Sequence, residues 1–197
     1  MTGRTGRILH GLALAGGVAA VGLAAGRPGG RELDGALFAD VNAGHGPTAD
    51  RLFSEITELG SLYAAGAGGV ALILLGRRSA GLRALGAAGA TWAAGQGLKR
   101  VVDRPRPYVA DAAGTRRMIA RPAGTSWPSS HPAVLTAFTR VAARELPVGA
   151  GARGALTFLD LVVATSRVYL GVHYPSDVAA GLLLGRSVAA AWPSRVG

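Results

Sequence analysis

Three short stretches hold the residues that could do chemistry, and the last, Ser166 to Asp177 (SRVYLGVHYPSD), holds the fullest set. Arg167 carries a planar guanidinium suited to gripping phosphate oxygens two at a time. His173 can serve as a nucleophile or a general base near neutral pH. Pro175 suits the first turn of a helix, where a missing N–H costs nothing. That places Asp177 in the same turn, within reach of one imidazole nitrogen of His173. A carboxylate there would fix the tautomer and stabilise the imidazolium, leaving the other nitrogen free to attack. Taken alone, the stretch fits a helix end with an idle arginine and a capping aspartate equally well.

The other two stretches shift that balance. One is KRVVDRPRP, with Lys99 and Arg106; the other is WPSSHP, with Ser129, Ser130 and His131. Together the three supply three cations, two hydroxyls, two histidines and one carboxylate. A phosphoryl group in transfer spreads charge over three equatorial oxygens, with attacking and leaving atoms in line. It needs cations and N–H donors around its equator, a nucleophile on one side and a proton donor on the other. His131 precedes Pro132 and so falls at a helix start, where backbone N–H groups favour anions. Each residue also has a plainer use: Lys99 and Arg106 as interfacial anchors, Ser129 and Ser130 as N-caps, His131 as a loop histidine. Chance rarely sets all three stretches in order on one face.

The elements that must position them are apolar runs. Hydrophobic residues make up 49% of the 197 and charged residues 16%, with a mean hydropathy of +0.31. That balance is too apolar for an ordinary soluble domain and points to a membrane protein of one domain, 1–197. The absence of cysteine excludes a disulfide framework and a thiolate metal site. Net charge is +10, nearly all from arginine, with Lys99 the only lysine. The arginines are scattered between apolar runs without a basic face studded with aromatics, which argues against nucleic acid. An anionic lipid or phosphate suits the charge better.

Six runs emerge: 8–26, 61–76, 81–98, 133–146, 154–171 and 178–192. The first, with small residues at 24–26, resembles a cleaved signal peptide in outline. A spanning helix is preferred, because the later runs also need a membrane. Short amphipathic helices are expected over 32–41 and 48–59, and 99–132 reads as a long polar loop punctuated by prolines. If all six runs span, Arg4, Arg7, Arg77, Arg78, Arg83, Arg144, Arg153 and Arg195 share one side, which the positive-inside rule makes cytoplasmic. The three chemical stretches then meet outside. The 99–132 loop is strongly basic yet outside, as a loop that holds an anion would be. Arg140, Asp160 and Arg186 lie at similar depth, within about 6 Å along the helix axes. Buried ionisable groups tend to pair, so Asp160 is expected to bridge at least one of the arginines.

The pattern Lys99…Arg106-Pro107, Pro128-Ser129-Ser130-His131 and Ser166-Arg167…His173…Asp177 resembles the type 2 phosphatidic acid phosphatase (PAP2) superfamily. This group shares its site with vanadium haloperoxidases and glucose-6-phosphatase. The resemblance implies an all-α, six-transmembrane-helix bundle with an extracytoplasmic active-site loop region, in the plasma membrane. It implies a phosphatase in which His173 attacks phosphorus and forms a phosphohistidine while Asp177 orients it. His131 protonates the leaving oxygen and then activates water. Lys99, Arg106, Arg167, Ser129 and the N–H of Ser130 hold the phosphate oxygens. No metal and no cofactor are implied. The family usually has glycine where this chain has Ser130, a substitution that adds bulk beside the phosphate.

The substrate class that follows is a membrane lipid phosphate: a polyprenyl monophosphate or diphosphate, or a phosphatidate-like lipid. Two other classes fit parts of the pattern. A vanadate-dependent haloperoxidase would use the same pocket, but the soluble form of that class lacks six apolar runs. A non-catalytic lipid-binding or transporter-type protein would be marked by a lost catalytic residue, and none of the expected positions is lost.

Overall fold

The computed structural model describes residues 3–193, and all regular structure among them is helical. In chain order the helices are α1 (Arg4–Gly26), α2 (Pro28–Asn42), α3 (Pro47–Ile56), which continues as a 3-10 turn (Thr57–Gly60), and α4 (Leu62–Leu74). Then come α5 (Arg78–Val101), the short α6 (Pro107–Ala110), α7 (Ser130–Glu145), α8 (Ala150–Tyr169) and α9 (Pro175–Ala191). The six apolar runs become α1, α4, α5, α7, α8 and α9, and the two amphipathic stretches become α2 and α3. Pro28, Pro47, Pro107 and Pro175 each open a helix, at the position where a residue without an N–H is least costly.

Small residues set how closely the helices approach. A Cβ added at Gly181 would come within 2.4 Å of the Ser129 carbonyl oxygen, and one at Gly185 within 2.4 Å of that of Ala133. The pair therefore lets α9 lie backbone to backbone on α7, the geometry that small residues four apart allow. On the opposite flank α1 runs antiparallel to α9: Ser187 Oγ donates to the Gly11 carbonyl at 2.8 Å, and Gly17 faces Leu183. Apolar clusters fill the gaps, with Ala84, Ala87, Ala137 and Val141 between α5 and α7, and Val18, Trp127, Ala133, Ala180 and Leu184 where α1, α7 and α9 meet.

By length and apolar composition, among the described residues, α1 alone qualifies to cross a membrane, and α3 with its 3-10 turn qualifies together with α4 across a 63° bend. Large apolar side chains point away from the protein, among them Tyr63 at 91% exposure, Leu74 at 81% and Phe158 at 68%. Arg195, counted above with the cytoplasmic arginines, lies outside the described residues.

The expected bridge from Asp160 is absent. Asp160 is buried and accepts a hydrogen bond from Thr139 Oγ1 at 3.2 Å, and no ion pair within 4.0 Å joins it to Arg140 or Arg186. Similar depth along neighbouring helices does not fix the direction in which each side chain points. Here α7 presents Thr139 to Asp160 and leaves its neighbour Arg140 exposed.

Candidate active site

Four helix ends converge at one end of the bundle. The C-termini of α5 and α8 bring Lys99 and Arg167, and the N-termini of α7 and α9 bring Ser129, Ser130, His131 and Asp177. The Ser129 N–H donates to the Asp177 carbonyl at 3.0 Å, tying the starts of α7 and α9 together. The connection from α8 to α9 carries His173. It leaves α8 through Gly171, whose φ of +75° only glycine adopts readily. The Val172 N–H returns to the Arg167 carbonyl at 3.2 Å and closes the helix end.

His173 is 2% exposed and Asp177 wholly buried. Nδ1 of the imidazole stands 3.5 Å from Asp177 Oδ2, an ion-pair distance without a formed hydrogen bond. Arg106 Nη1 lies 3.1 Å from Nε2. A guanidinium can only donate, so Nε2 is the accepting, unprotonated nitrogen and Nδ1 carries the proton toward Asp177. Burial pushes the His173 imidazole down to about 3, against the opposing pull of Asp177. Nε2 is therefore kept free of a proton.

Asp177 has a second function, the plainer one anticipated for it. Its Oδ2 accepts from the Tyr174 N–H at 2.8 Å and so caps α9. The same oxygen accepts from Ser126 Oγ, and Oδ1 accepts from Arg104 Nη1 at 2.7 Å.

The remaining expected residues surround the imidazole. Arg106 also donates to the carbonyls of Val172 (2.9 Å), Gly124 (2.9 Å) and Ala123 (3.1 Å), and Lys99 Nζ to that of Thr125 (2.7 Å). Arg167 Nη1 donates to Thr57 Oγ1 at 2.9 Å, while its Nε is buried without a partner. Ser129 Oγ is likewise buried and unpartnered, although the residue is the N-cap of α7. Its hydroxyl is not spent on capping. His131 lies within electrostatic reach of Arg167, His173, Arg106 and Lys99. Gly60 packs so closely on it that an added Cβ would sit 2.8 Å from the His131 Cβ. All eight residues expected from the sequence are thus gathered at one end of the bundle.

Ser130, in the place of the family's glycine, turns its hydroxyl toward α5. It stands 3.5 Å from Gln96 Nε2, beside Gly95, which has no side chain to obstruct it. The extra bulk is taken up by α5.

Several contributors were not anticipated. Arg104 sits two residues before Arg106 in the same stretch. Thr57 and Asp34 come from the region before α4, where no pattern pointed to the site. Ser126 lies three residues before Ser129. Among the described residues, no group of three or more His, Asp or Glu side chains is gathered as metal ligands.

Three cations, Lys99, Arg106 and Arg167, face one dyad carboxylate, with an unpartnered hydroxyl and an unpartnered guanidinium nitrogen between them. That excess of about two charges matches a phosphate monoester, and orphaned buried donors are costly unless a ligand takes them up. The profile of the PAP2 superfamily matches residues 80–196. The chain belongs to that superfamily. It is 38% identical over 97 residues to the decaprenylphosphoryl-5-phosphoribose phosphatase of Mycobacterium tuberculosis, covering 47% of this chain and 48% of that one. To the protein of the same name from Mycolicibacterium smegmatis it is 38% identical over 133 residues, covering 58% and 69%. The chain thus spans about half the length of the M. tuberculosis relative. Two crystal structures share the fold. The PAP2 type phosphatidylglycerolphosphate phosphatase of Bacillus subtilis superposes with a TM-score of 0.74 at 22% identity, over 91% of this chain and 92% of that one. LpxE of Aquifex aeolicus superposes with a TM-score of 0.70 at 23% identity, over 78% and 90%.

Proposed function

We propose that this protein is a multi-pass, integral-membrane lipid phosphate phosphatase that works through a phosphohistidine without a metal. The observation that carries the proposal is the arrangement about one buried imidazole, with Asp177 at Nδ1, Arg106 at Nε2, and Ser129 Oγ and Arg167 Nε left unpartnered nearby. In the first step Nε2 of His173 bonds to phosphorus as the bond to the lipid oxygen breaks. Arg106 gives up Nε2 and turns to a phosphoryl oxygen. His131, which takes up a proton as the anionic phosphate binds beside it, passes that proton to the leaving oxygen, and Asp177 balances the imidazolium. In the second step His131 takes a proton from water, whose oxygen bonds to phosphorus. The P–N bond breaks and inorganic phosphate leaves. Lys99, Arg106, Arg167, Ser129 and the Ser130 N–H stabilise the charge on the three equatorial oxygens in both steps.

The mycobacterial relatives favour, among lipid phosphates, a phosphomonoester of the decaprenylphosphoryl-5-phosphoribose kind. The outward apolar side chains and the arginines at the far end of the bundle support a site that meets substrate on the extracytoplasmic face of the plasma membrane. The test is release of inorganic phosphate in EDTA from a panel: decaprenylphosphoryl-5-phosphoribose, polyprenyl monophosphate and diphosphate, phosphatidate and phosphatidylglycerophosphate. Release from at least one, undiminished by EDTA, is expected. Release from none, or release that EDTA abolishes, overturns the proposal. Sidedness is checked by single cysteines at Ala112 and Ser79 with an impermeant thiol reagent on intact cells, the first expected to react and the second not.

A further inference from the structure

Between α2 and the first turn of α9 lies a cluster that the catalytic scheme does not use. Arg104, on the connection from α5 to α6, places one arm between two buried carboxylates. Nη1 donates to Asp177 Oδ1 at 2.7 Å and to Ser176 Oγ at 2.6 Å, and Nη2 to Asp34 Oδ2 at 2.6 Å. Asp34, on α2, also accepts from the Ser176 N–H at 2.8 Å and from the Ser176 hydroxyl. The guanidinium lies 4.4 Å from the ring centre of Tyr174, whose other neighbour is Phe38, one turn after Asp34 on α2. Asp34 is 4% exposed. Every residue from Tyr174 to Asp177 is thus held by Arg104 or α2, apart from Pro175, which has no N–H to give.

We infer that Arg104 and Asp34 are positioning residues for the His173–Asp177 pair, acting as a clamp that α2 closes on the start of α9. The inference rests on the proposed phosphohistidine chemistry. Two features of the geometry carry it. First, Arg104 takes up Oδ1 of Asp177 while Ser126 and the Tyr174 N–H hold Oδ2, so that the carboxylate is fixed at both oxygens with Oδ2 toward Nδ1 of His173. Second, the charges suit the reaction. One guanidinium between two carboxylates leaves a single negative charge, which the imidazolium formed on phosphorylation neutralises. Without Asp34, Arg104 would cancel Asp177 alone, and the carboxylate would support the imidazolium less well. Asp34 lies before the segment matched by the superfamily profile, residues 80–196, so part of the orienting apparatus comes from outside it. His173 is also faced by Arg106, by Arg167 of α8 and by His131 of α7; none of these touches Asp34.

The test measures kcat and KM of Arg104→Gln, Arg104→Lys, Asp34→Asn and the double variant Arg104→Gln/Asp34→Asn, in detergent, on the lipid phosphate that the parent hydrolyses best. Arg104→Gln is expected to lower kcat by about 10- to 100-fold, by analogy with the loss of an outer-shell partner of a metal-ligating histidine, with KM changed less than about threefold. Arg104→Lys keeps the charge and one donor and should recover part of that loss. Asp34→Asn should lower kcat severalfold, and the double variant should be little worse than Arg104→Gln, because the two residues act as one unit. If Arg104→Gln does not fold, Asp34→Asn, nearly the same shape, decides alone. Parent-like kcat in the variants that fold overturns the inference, as does a loss confined to KM or strict additivity of the two losses. His173→Ala keeps the two ideas apart. If it remains active, the phosphohistidine chemistry itself fails; if it is inactive while the Arg104 and Asp34 variants match the parent, only the clamp fails.

Discussion

Two buried carboxylates, Asp177 and Asp160, stand on neighbouring helices and are treated in opposite ways. Asp177, at the start of α9, accepts from Ser126, the Tyr174 N–H and Arg104 and faces His173. Asp160, in the middle of α8, accepts from Thr139 at 3.2 Å and, among the described residues, makes no ion pair within 4.0 Å. A buried carboxylate costs several kcal/mol unless its oxygens are occupied by donors. Donors are plentiful where helix ends and loops meet, because backbone N–H groups are free there. In the middle of a helix the backbone is used up, and only side chains can help. The difference is between a carboxylate well supplied with donors where helix ends meet and one served by a side chain in the interior of the bundle.

The largest expected effect removes what the Asp177 end is built for. His173→Ala should lower turnover by about 10⁴-fold or more while the protein stays folded, since in the proposed chemistry His173 supplies the atom that bonds to phosphorus. His131→Ala should slow turnover severely and leave phosphate on His173, which acid-labile labelling from a radioactive substrate would show. Turnover by His173→Ala comparable with the parent would leave Asp177 as no more than a helix cap and erase the contrast with Asp160.

Lys99→Arg comes next. It keeps the charge and exchanges a compact ammonium for a planar fork, at a point where Arg106 and Arg167 already supply forks. Lys99 Nζ reaches the Thr125 carbonyl, and Thr125 Oγ1 returns to the Lys99 carbonyl at 3.0 Å, so the ammonium is held at a fixed place beside the site. A loss of about 10- to 100-fold in kcat/KM is expected. Near-parental kinetics would make Lys99 an interfacial anchor.

The eight candidate residues that the fold gathers could be picked out because the proposed chemistry depends on local spacing: a histidine and an aspartate one helical turn apart, an arginine before a proline, two serines before a histidine. Asp34, Thr57, Ser126 and Arg104 could not. Their roles come from contacts between elements far apart in the chain, such as Asp34 with Ser176, and periodicity says that α2 is a helix without saying where it docks. The six helices formed by the apolar runs were legible for a similar reason, since apolar runs broken by glycine, proline and arginine mark themselves. The pairing of Asp160 was misjudged because depth along a helix follows from counting residues, whereas the azimuth of each side chain follows from how the helices are rotated against one another. The rotation seen here gave Asp160 to Thr139.

A smaller effect concerns acid. Burial holds the His173 imidazole at about 3, below its ordinary 6.5. As pH falls below 6.5 the unfolded chain takes up a proton that the native state refuses. Stability from this group is therefore fully present above pH 6.5 and is lost as pH falls toward about 3. Melting temperatures of the parent should fall on going from pH 7 to pH 4.5, and those of His173→Gln, which cannot be protonated, should fall less. Parallel curves would mean that the imidazole is not held neutral in the free protein.

The smallest effect is expected at the sparsely served carboxylate. Asp160→Asn keeps the shape and the oxygen that accepts from Thr139, and removes a charge that no ion pair within 4.0 Å compensates. The charge is not idle, because Arg140 and Arg186 lie within electrostatic reach of Asp160. Its loss therefore trades a weakened attraction for a smaller desolvation cost, and the two offset. A shift in melting temperature of no more than about 2 °C is expected, corresponding to at most about 1 kcal/mol for a chain of this size. Asp177→Asn, which strips a charge from the Arg104 and Ser126 donors, should lower it by several times as much. Thr139→Val sharpens the contrast further. It removes the donor that Asp160 relies on and should cost more than Asp160→Asn, because it leaves a buried charge without its hydrogen bond. A large fall for Asp160→Asn, equal to that for Asp177→Asn, would show that the arginines hold Asp160 through more than long-range attraction, and the two carboxylates would then be alike after all.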